Sequence, residues 1–194
     1  ASRHLGVLWV AVEATTLATA PLIYFHRQPR SLEATWKYLL VCSVGIALAL
    51  LGNFLLVIAS AGPGGTDGSL QVAELVARGG RMHGPWLKAA FVFLLVGYGT
   101  KMGLVPMHTW LPDAHSEAPS PVSALLSGAL LNCAFLGILR AHSICAAAGL
   151  GDFSGQLLVG FGLLSMGVAA AFLVHQPDYK RMLAYSSVEN MGLL

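Results

Sequence analysis

The chain has 194 residues, of which 56% are hydrophobic and only 10% are charged, and its formal net charge is +2. A mean hydropathy of +0.69 and a charge content far below the roughly 25% of ordinary soluble domains exclude a soluble globular protein. The small net charge and the lack of Lys/Arg clusters also exclude a nucleic-acid-binding protein. Composition therefore predicts an all-α membrane protein, in which each spanning helix needs about 20 mostly apolar residues.

Two spans are predicted in the N-terminal part of the chain. The first covers residues 5–25, and Glu13 is its one charged residue. The second covers residues 37–60 and begins at Lys37. A charge at membrane depth costs about 2.5–3.5 kcal/mol on insertion scales, and such residues usually face a protein interior or a water-filled cavity and mark ion or proton paths. The alternative for Glu13 is a carboxyl group kept neutral by burial, with a purely structural role.

A polar loop at residues 61–85 joins the second span to the third. It begins with Gly62-Pro63-Gly64-Gly65, a composition typical of loops. Its middle, residues 70–78, predicts one short amphipathic helix lying at the membrane interface.

The third span, residues 86–111, is predicted to be broken. Pro106 lacks an amide N–H and clashes with the preceding helical turn. Three glycines add backbone freedom in the same stretch: Gly97, Gly99 and Gly103. We therefore expect a break between residues 100 and 108, packed against protein or a water-filled cavity, because irregular backbone inside a bilayer requires such surroundings. Lys101 lies beside this break, and its alternative role is to snorkel to the interface if the span ends early.

The C-terminal part predicts a proline-rich loop at residues 112–121, a fourth span at 122–141 and a fifth at 157–174. A polar turn at 175–181 precedes a sixth, incomplete span that begins near Met182. Small residues crowd the fifth span and are expected to receive helices outside this chain: Gly160, Gly162, Ser165, Gly167, Ala169, Ala170 and Ala171. Because both ends interrupt apolar segments, the chain is expected to be an internal piece of a longer protein.

The three cysteines, Cys42, Cys133 and Cys145, lie in apolar surroundings, and no CxxC pair occurs. We expect buried free thiols that pack as small hydrophobic groups, and neither a metal site nor a bound cofactor. The sequence also lacks a haem motif and a flavin or nucleotide fingerprint. Redox chemistry is therefore expected in partner subunits and not in this chain.

Two long motifs carry a family resemblance. The first, residues 101–128, reads KMGLVPMHTWLPDAHSEAPSPVSALLSG, and the second, residues 178–187, reads DYKRMLAYSS. Together they resemble the proton-antiporter-like membrane subunits shared by respiratory complex I, multisubunit sodium/proton antiporters and membrane-bound hydrogenases. The resemblance implies a polytopic bundle of roughly fourteen helices. Residues 1–194 would be one partial transmembrane domain, with the core of the first half-channel and the start of the second.

Three shorter stretches resemble one branch of that family. Residues 13–17 (EATTL), 132–134 (NCA) and 187–192 (SVENMG) look like the hydrogenase-4 and formate hydrogenlyase branch. Many complex I members place a lysine where Asn132 stands and a histidine where Asn190 stands. The missing lysine argues against a complex I-like relay through the fourth span.

The resemblance assigns the central roles to Glu13 and Lys101. The glutamate would lie at the channel entrance, paired with the lysine of the broken helix, and a change in their separation would load or release a proton. We expect the two side chains to come within direct or one-water hydrogen-bond reach, because a lone buried charge is costly and attraction offsets that cost only at close range. Lys37 would modulate this pair, and its alternative role is an interfacial anchor.

Further candidates for the proton path lie near the break and in the later spans. His108 and His115 flank the break, and His115 with Asp113 forms either a relay or a loop cap. Asn132 either bonds across helices as a buried amide or positions an ordered water in the path. The candidates for a relay to the next half-channel are Lys180 and Glu189.

The favoured function is a proton-translocating subunit of a hydrogenase-4 or formate hydrogenlyase-type redox complex, multi-pass in the inner membrane of a prokaryote. Its expected partners are other membrane subunits, the peripheral redox arm of a hydrogenase or NADH dehydrogenase-like complex, the lipid bilayer and the protons it moves. Two alternatives stay open. One is a complex I or sodium/proton antiporter subunit, and the other is a membrane scaffold in which Glu13 and Lys101 only lock helices together.

Overall fold

The computed structural model describes residues 2–61 and 68–194, and the loop start at Gly62-Pro63-Gly64-Gly65 lies outside the described residues. The described part is all-α, as predicted, and contains no β-strand. Its helices are α1 (Leu5–Ile23), α2 (Pro29–Ser60), α3 (Val72–Ala77), α4 (Gly84–Met102), α5 (Trp110–Glu117), α6 (Ser120–Leu125), α7 (Leu131–Ala147), α8 (Gly151–Leu173) and α9 (Tyr179–Leu193). Four stretches are long and apolar enough to cross a membrane: Leu5–His26, Pro29–Ser60, Ser120–Ala147 and Gly151–Leu173.

The first two spans and the interfacial helix lie where the sequence predicted them, except that the second span begins earlier. Helix α2 begins at Pro29, eight residues before the predicted start at Lys37. Proline is favourable in the first helical turn, and Gln28 and Ser31 form a capping box that fixes this start. Helix α3 buries Leu75 and matches the predicted amphipathic segment.

The prediction of a loop at residues 112–121 is wrong for most of that segment. Trp110–Glu117 forms helix α5, in which Pro112 occupies the first turn and therefore costs no internal hydrogen bond. The fourth span is longer than predicted, since α6 and α7 are joined by a single π-helical turn, Leu126–Leu130. The fifth span begins at Gly151 instead of residue 157.

Helices α2 and α4 run antiparallel and approach each other through glycines. A Cβ atom at Gly97 would lie 2.5 Å from the backbone nitrogen of Ala49, and one at Gly45 would lie 2.6 Å from Cβ of Thr100. A Cβ at Gly52 would lie 2.8 Å from Cγ of Leu94. Small residues allow helix backbones in membranes to pack closely, so this contact fixes how α4 presents its C-terminal end to the bundle.

The small-residue stripe of α8 divides between an internal and an open face. A Cβ at Gly162 would lie 2.5 Å from the carbonyl oxygen of Gly192 in α9, and Ser165 is fully buried. At Gly160 and Gly167, by contrast, a Cβ atom would have no atom of the described residues within 4 Å. The prediction that the stripe faces helices outside the chain is therefore wrong for Gly162, Ser165 and Ala169, which pack inside it.

The three cysteines differ in their exposure. Cys42 and Cys145 are buried and free, as predicted. Cys133 is exposed, contrary to prediction, because it lies with Asn132 on the outward face of α7.

Large apolar side chains cover the outer faces of α1 and α2, including Val10, Leu40 and Phe54. Outward apolar faces of this kind suit contact with lipid.

Candidate functional site

The break in the third span begins where α4 ends at Met102. Gly103 takes a left-handed conformation with φ of 82°, and a Cβ there would lie 2.5 Å from the Leu111 side chain. Glycine adopts this conformation without steric cost, and Pro106 prevents the helix from resuming at once. Helix α5 then begins at Trp110. The predicted break between residues 100 and 108 is confirmed.

Side chains from other elements satisfy the backbone groups that the break frees. The Val105 N–H donates to Oγ of Ser165 in α8 at 3.0 Å. The indole N–H of Trp110 donates to the carbonyl oxygen of Thr100 at 2.8 Å. Since an unpaired buried backbone group is costly, these two bonds stabilise an irregular backbone inside the bundle. They also fix the direction in which the last turn of α4 points.

Lys101, in that last turn, is fully buried, with 0% of its surface exposed. Its ammonium nitrogen donates to Oγ1 of Thr16 and to Oη of Tyr38, each at 2.8 Å. It also lies 4.4 Å from the centre of the Tyr38 ring and 5.7 Å from that of Trp110. The snorkelling alternative is wrong, because the side chain points into the bundle.

The hydrogen bonds of Lys101 continue along α1. The Tyr38 hydroxyl lies 2.7 Å from Oγ1 of Thr19, and Thr19 donates in turn to the carbonyl oxygen of Thr15 at 2.7 Å. Tyr38 can therefore accept from Lys101 while it donates to Thr19. The lysine is the end of a satisfied chain of neutral hydroxyl groups.

Glu13 lies near this chain but does not pair with Lys101. Among the described residues the ion pairs within 4.0 Å are Lys37–Glu33, Lys37–Asp113 and Arg181–Asp113, so the expected direct contact is absent from this state. Glu13 precedes Thr16 by three residues on α1, which places both on one helix face, and its charge acts on Lys101. Its Oε2 atom is buried and has no hydrogen-bond partner among the described residues. Thr16, and not Glu13, accepts the hydrogen bond of the Lys101 ammonium on this face of α1.

Lys37 belongs to a separate, half-exposed ion cluster. Its ammonium nitrogen lies 2.7 Å from Glu33 and 3.0 Å from Asp113, and Asp113 also pairs with Arg181. Asp113 thus bridges α2, α5 and α9, and within the described part of the chain it neither caps α5 nor contacts His115. The side chain of Lys37 is 48% exposed, as an interfacial anchor would be.

The two histidines lie in different elements, His108 in the segment of the break and His115 in the helix that follows it. His108 is buried against the Tyr185 ring, 6.3 Å away, and its Nδ1 has no hydrogen-bond partner in the described ranges. His115, in α5 outside the apolar spans, is buried, and burial lowers its pKa to about 4. Its ring is therefore neutral at pH 7, and Nε2 likewise has no partner in the part of the chain that the structure describes.

His115 lines a cavity of about 560 Å³ between α6 and α9. Hydroxyl and amide groups dominate its polar lining: Ser120, Ser123, Ser127, Ser186, Ser187 and Asn190. Lys180 also lines it and donates to the carbonyl oxygen of Ala118 at 3.0 Å. The cavity connects the end of the broken helix with the first turns of α9.

Two predicted site residues face outward. Asn132 is exposed and donates to the carbonyl oxygen of Gly128 at 2.6 Å, within its own helix. The prediction of a buried amide bonding across helices is wrong, because Asn132 lies on the outward face of α7 and its amide bonds back to the preceding helical turn. Glu189 is also exposed, on the outer face of α9.

The groups that bind Lys101 were not predicted. Thr16, Thr19 and Tyr38 are polar residues in apolar spans, and Thr16 follows Glu13 by one helical turn. That spacing was a usable signal for a polar face on α1. Tyr38 directly follows Lys37 and points inward while its neighbour points outward.

The site and fold define a class of multi-pass membrane subunit with a buried lysine at a broken helix. The family model described as "NADH:quinone oxidoreductase/Mrp antiporter, TM" matches residues 2–194, and the chain belongs to this family. The predicted family resemblance is thereby confirmed.

Curated relatives span several kinds of complex. The chain is 44% identical over 195 residues to a "Hydrogenase-4 component F homolog" of Methylacidiphilum infernorum, a match that covers 100% of this chain and 41% of the relative. It is 37% identical over 194 residues to "NADH-quinone oxidoreductase subunit N" of Deinococcus radiodurans, covering 100% of this chain and 38% of that protein. "Hydrogenase-4 component B" of Escherichia coli is 32% identical over 186 residues, covering 95% and 26%. The chain therefore spans less than half the length of these relatives.

Solved structures show the same fold. A chain of the archaeal membrane-bound sulfane sulfur reductase superposes with a TM-score of 0.90 at 23% identity, covering 100% of this chain and 38% of that one. A chain of respiratory complex I from Thermus thermophilus superposes with a TM-score of 0.81 at 31% identity, covering 98% and 39%.

Proposed function

We propose that the chain forms part of a proton-translocating membrane subunit, and that Lys101 is the group that takes up and releases the proton. One observation carries this proposal. Lys101 is fully buried beside the helix break, and its ammonium nitrogen donates to the neutral hydroxyls of Thr16 and Tyr38. A lysine held by neutral groups can exist as ammonium or amine, because a hydroxyl group can form a hydrogen bond with either form.

Glu13 supplies the bias between these two states. A carboxylate near Lys101 favours the ammonium, and desolvation favours the amine. If Glu13 approaches through the Thr16 position, the site loads a proton, and if it withdraws, the site releases one. The buried Oε2 of Glu13, without a partner in the described residues, supports this role, since a fixed structural carboxyl would be expected to have its hydrogen bonds satisfied.

The onward path runs from Lys101 past the break to α9. We assign His108, His115 and the cavity that His115 lines to this path, with Lys180 in the wall of the cavity. The neutral ring of His115 can accept a proton on one nitrogen and give one from the other. Asn132 and Glu189 face outward, so their part in the path requires helices packed on the outer faces of α7 and α9. Lys37 acts through its link to Asp113 and not by contact with Lys101.

We assign the subunit to a hydrogenase-4 or formate hydrogenlyase-type complex in a prokaryotic inner membrane, where partner subunits carry the electrons. The support is the 44% identity to a relative with that name and the EATTL, NCA and SVENMG stretches. Purification of the complex through a tag on this subunit, followed by assay for hydrogenase and NADH dehydrogenase activity, tests the assignment. Hydrogenase activity is expected, and NADH dehydrogenase activity alone would reject it.

A sodium/proton antiporter is the second candidate, because the family description includes Mrp antiporters. The two candidates differ in the ion moved. Vesicles that contain the full complex should acidify or alkalise at the same rate with potassium in place of sodium if protons alone are moved. A rate that requires sodium would favour the antiporter.

Glu13→Gln tests the bias mechanism. The amide keeps the shape of the side chain and removes its charge, so the complex should assemble while proton translocation falls. Unchanged translocation by the assembled variant would remove Glu13 from the mechanism.

A further inference from the structure

A second group of buried polar side chains lies away from the Lys101 chain. Asn53 of α2 is 1% exposed and Tyr98 of α4 is 0% exposed. Both polar atoms of the Asn53 amide and the hydroxyl of Tyr98 are buried and have no hydrogen-bond partner in the described part of the chain. The Tyr98 hydroxyl faces Asn53 without forming a hydrogen bond of normal geometry. The Asn53 amide and the Tyr98 hydroxyl thus lie beside each other in the core, with hydrogen-bonding capacity that the described residues leave unused.

Helix α7 completes the surroundings of this pair. The Tyr98 ring lies against Gly137, where a Cβ atom would be 2.9 Å from ring carbon Cδ2. Arg140, three residues further along α7, places its charge within range of Tyr98, and its guanidinium donates to the carbonyl oxygen of Ser2. The pair therefore lies where α2, α4 and α7 meet.

The position of Tyr98 relates this pair to Lys101. The two residues are three apart on α4, so they share a helix face. Side chains in helices lean toward the N-terminus, which directs Tyr98 away from the break and toward the end where α4 begins. The end of α2 lies beside that end of α4, since His83 N–H donates to the carbonyl oxygen of Ala59 at 3.0 Å. The Lys37–Asp113–Arg181 cluster lies at the opposite end of the bundle.

Leaving such groups unpaired in a core costs folding free energy, and apolar residues of the same shape would avoid that cost. Phenylalanine and leucine would fill these two positions with little change of volume. Polar groups with free hydrogen-bonding capacity are, however, what is needed to bind water in a buried site.

We propose that Asn53 and Tyr98 form a relay station that connects Lys101 with the membrane face where α4 begins. This rests on the proposed function of Lys101. The Tyr98 hydroxyl gives its proton to one neighbouring water as it accepts a proton from another, so that no net charge remains on the ring. Asn53 is a positioning residue, and its amide orients water between Tyr98 and the Arg140 side of α7.

The experiment uses the full complex in vesicles and compares Tyr98→Phe, Asn53→Leu and the double variant, with rates divided by the amount of assembled complex. Each single variant should slow proton translocation about a hundredfold, at the low end of what a positioned proton-transfer group contributes. The double variant should be no slower than the slower single variant, because the two residues act as one unit. Thermal stability should stay equal or rise. Asn53→Ser provides a hydroxyl that can bind water, so its translocation rate should lie between the rates of Asn53→Leu and of the unmodified complex.

Tyr24→Phe is the matched control, since Tyr24 lies in the turn after α1, outside the Lys101 chain and the cavity, and loses the same hydroxyl. Normal rates in Tyr98→Phe and Asn53→Leu, with Lys101→Ala inactive in the same vesicles, would overturn the relay station and leave the proposed function intact. Normal rates in Lys101→Ala would overturn the proposed function itself. A fall in the amount of complex with a normal rate per complex would show that the pair is structural, and would also overturn the relay station.

Discussion

Replacing Tyr38 by phenylalanine separates the hydrogen bonds of Lys101 from its packing. The variant keeps the ring, which lies 4.4 Å from the ammonium nitrogen, and removes a hydroxyl that contacts Lys101 at 2.8 Å and Thr19 at 2.7 Å. A hydrogen bond to a charged group contributes about 1.5–3 kcal/mol and a neutral one about 0.5–1.5 kcal/mol. The folded protein should therefore lose about 2–4 kcal/mol.

Of the two hydrogen bonds that are lost, the one to the Lys101 ammonium affects function, because it stabilises the charged form of the lysine. Each 1.4 kcal/mol is about a tenfold change in an equilibrium, so loss of the bond to Tyr38 should reduce the ratio of ammonium to amine at Lys101 about ten- to hundredfold and slow proton uptake at a given pH. The assay is initial proton flux into vesicles that contain the assembled complex, with Tyr24→Phe as control. A Tyr38→Phe complex that assembles and transports at the rate of the control would refute the view that this hydroxyl supports the charged lysine.

Three further predictions concern packing, the break and His115. Gly97→Ala should lower the yield and thermal stability of the complex, because its Cβ would lie 2.5 Å from the Ala49 nitrogen. An overpacked contact of this kind costs about 1–3 kcal/mol. Gly84→Ala in the same helix is the control and should have no such effect, because no atom of the described residues lies within 4 Å of its Cβ position. Ser165→Ala should cost about 1–3 kcal/mol in thermal unfolding, since it leaves the Val105 N–H unpaired, and an unchanged midpoint would contradict that. Nitrogen-15 spectra of the His115 ring should show a neutral imidazole at pH 7 and a titration midpoint near the pKa of about 4. A midpoint above about 6, close to the ordinary histidine value, would contradict the burial of this ring.

The broken helix was predictable because its causes are local. Pro106 and Gly103 dictate backbone geometry whatever surrounds them, and the sequence motif indicated the family. The burial of Lys101 followed from the apolar residues around it. These features depend on residues that are adjacent in sequence, so composition and spacing were enough.

The partners of Lys101 were not predictable in the same way. Whether Thr16 or Glu13 receives the ammonium depends on the rotation of α1 about its axis and on its register against α4. Both are set by packing between distant segments, including the glycine contacts of α2 with α4. The prediction for Asn132 was wrong for a related reason, because which face of α7 points outward is set by its packing against helices distant in sequence.

Proton translocation by Lys101 variants in the full complex tests the central claim most directly. Flux is measured in vesicles with assembly determined separately on the same preparation. Lys101→Ala should abolish flux because the proton carrier is gone, and Lys101→Arg should fail as well, because a guanidinium does not release its proton in proteins. Normal flux through an assembled Lys101→Ala complex would contradict the account and leave Lys101 as a brace between helices.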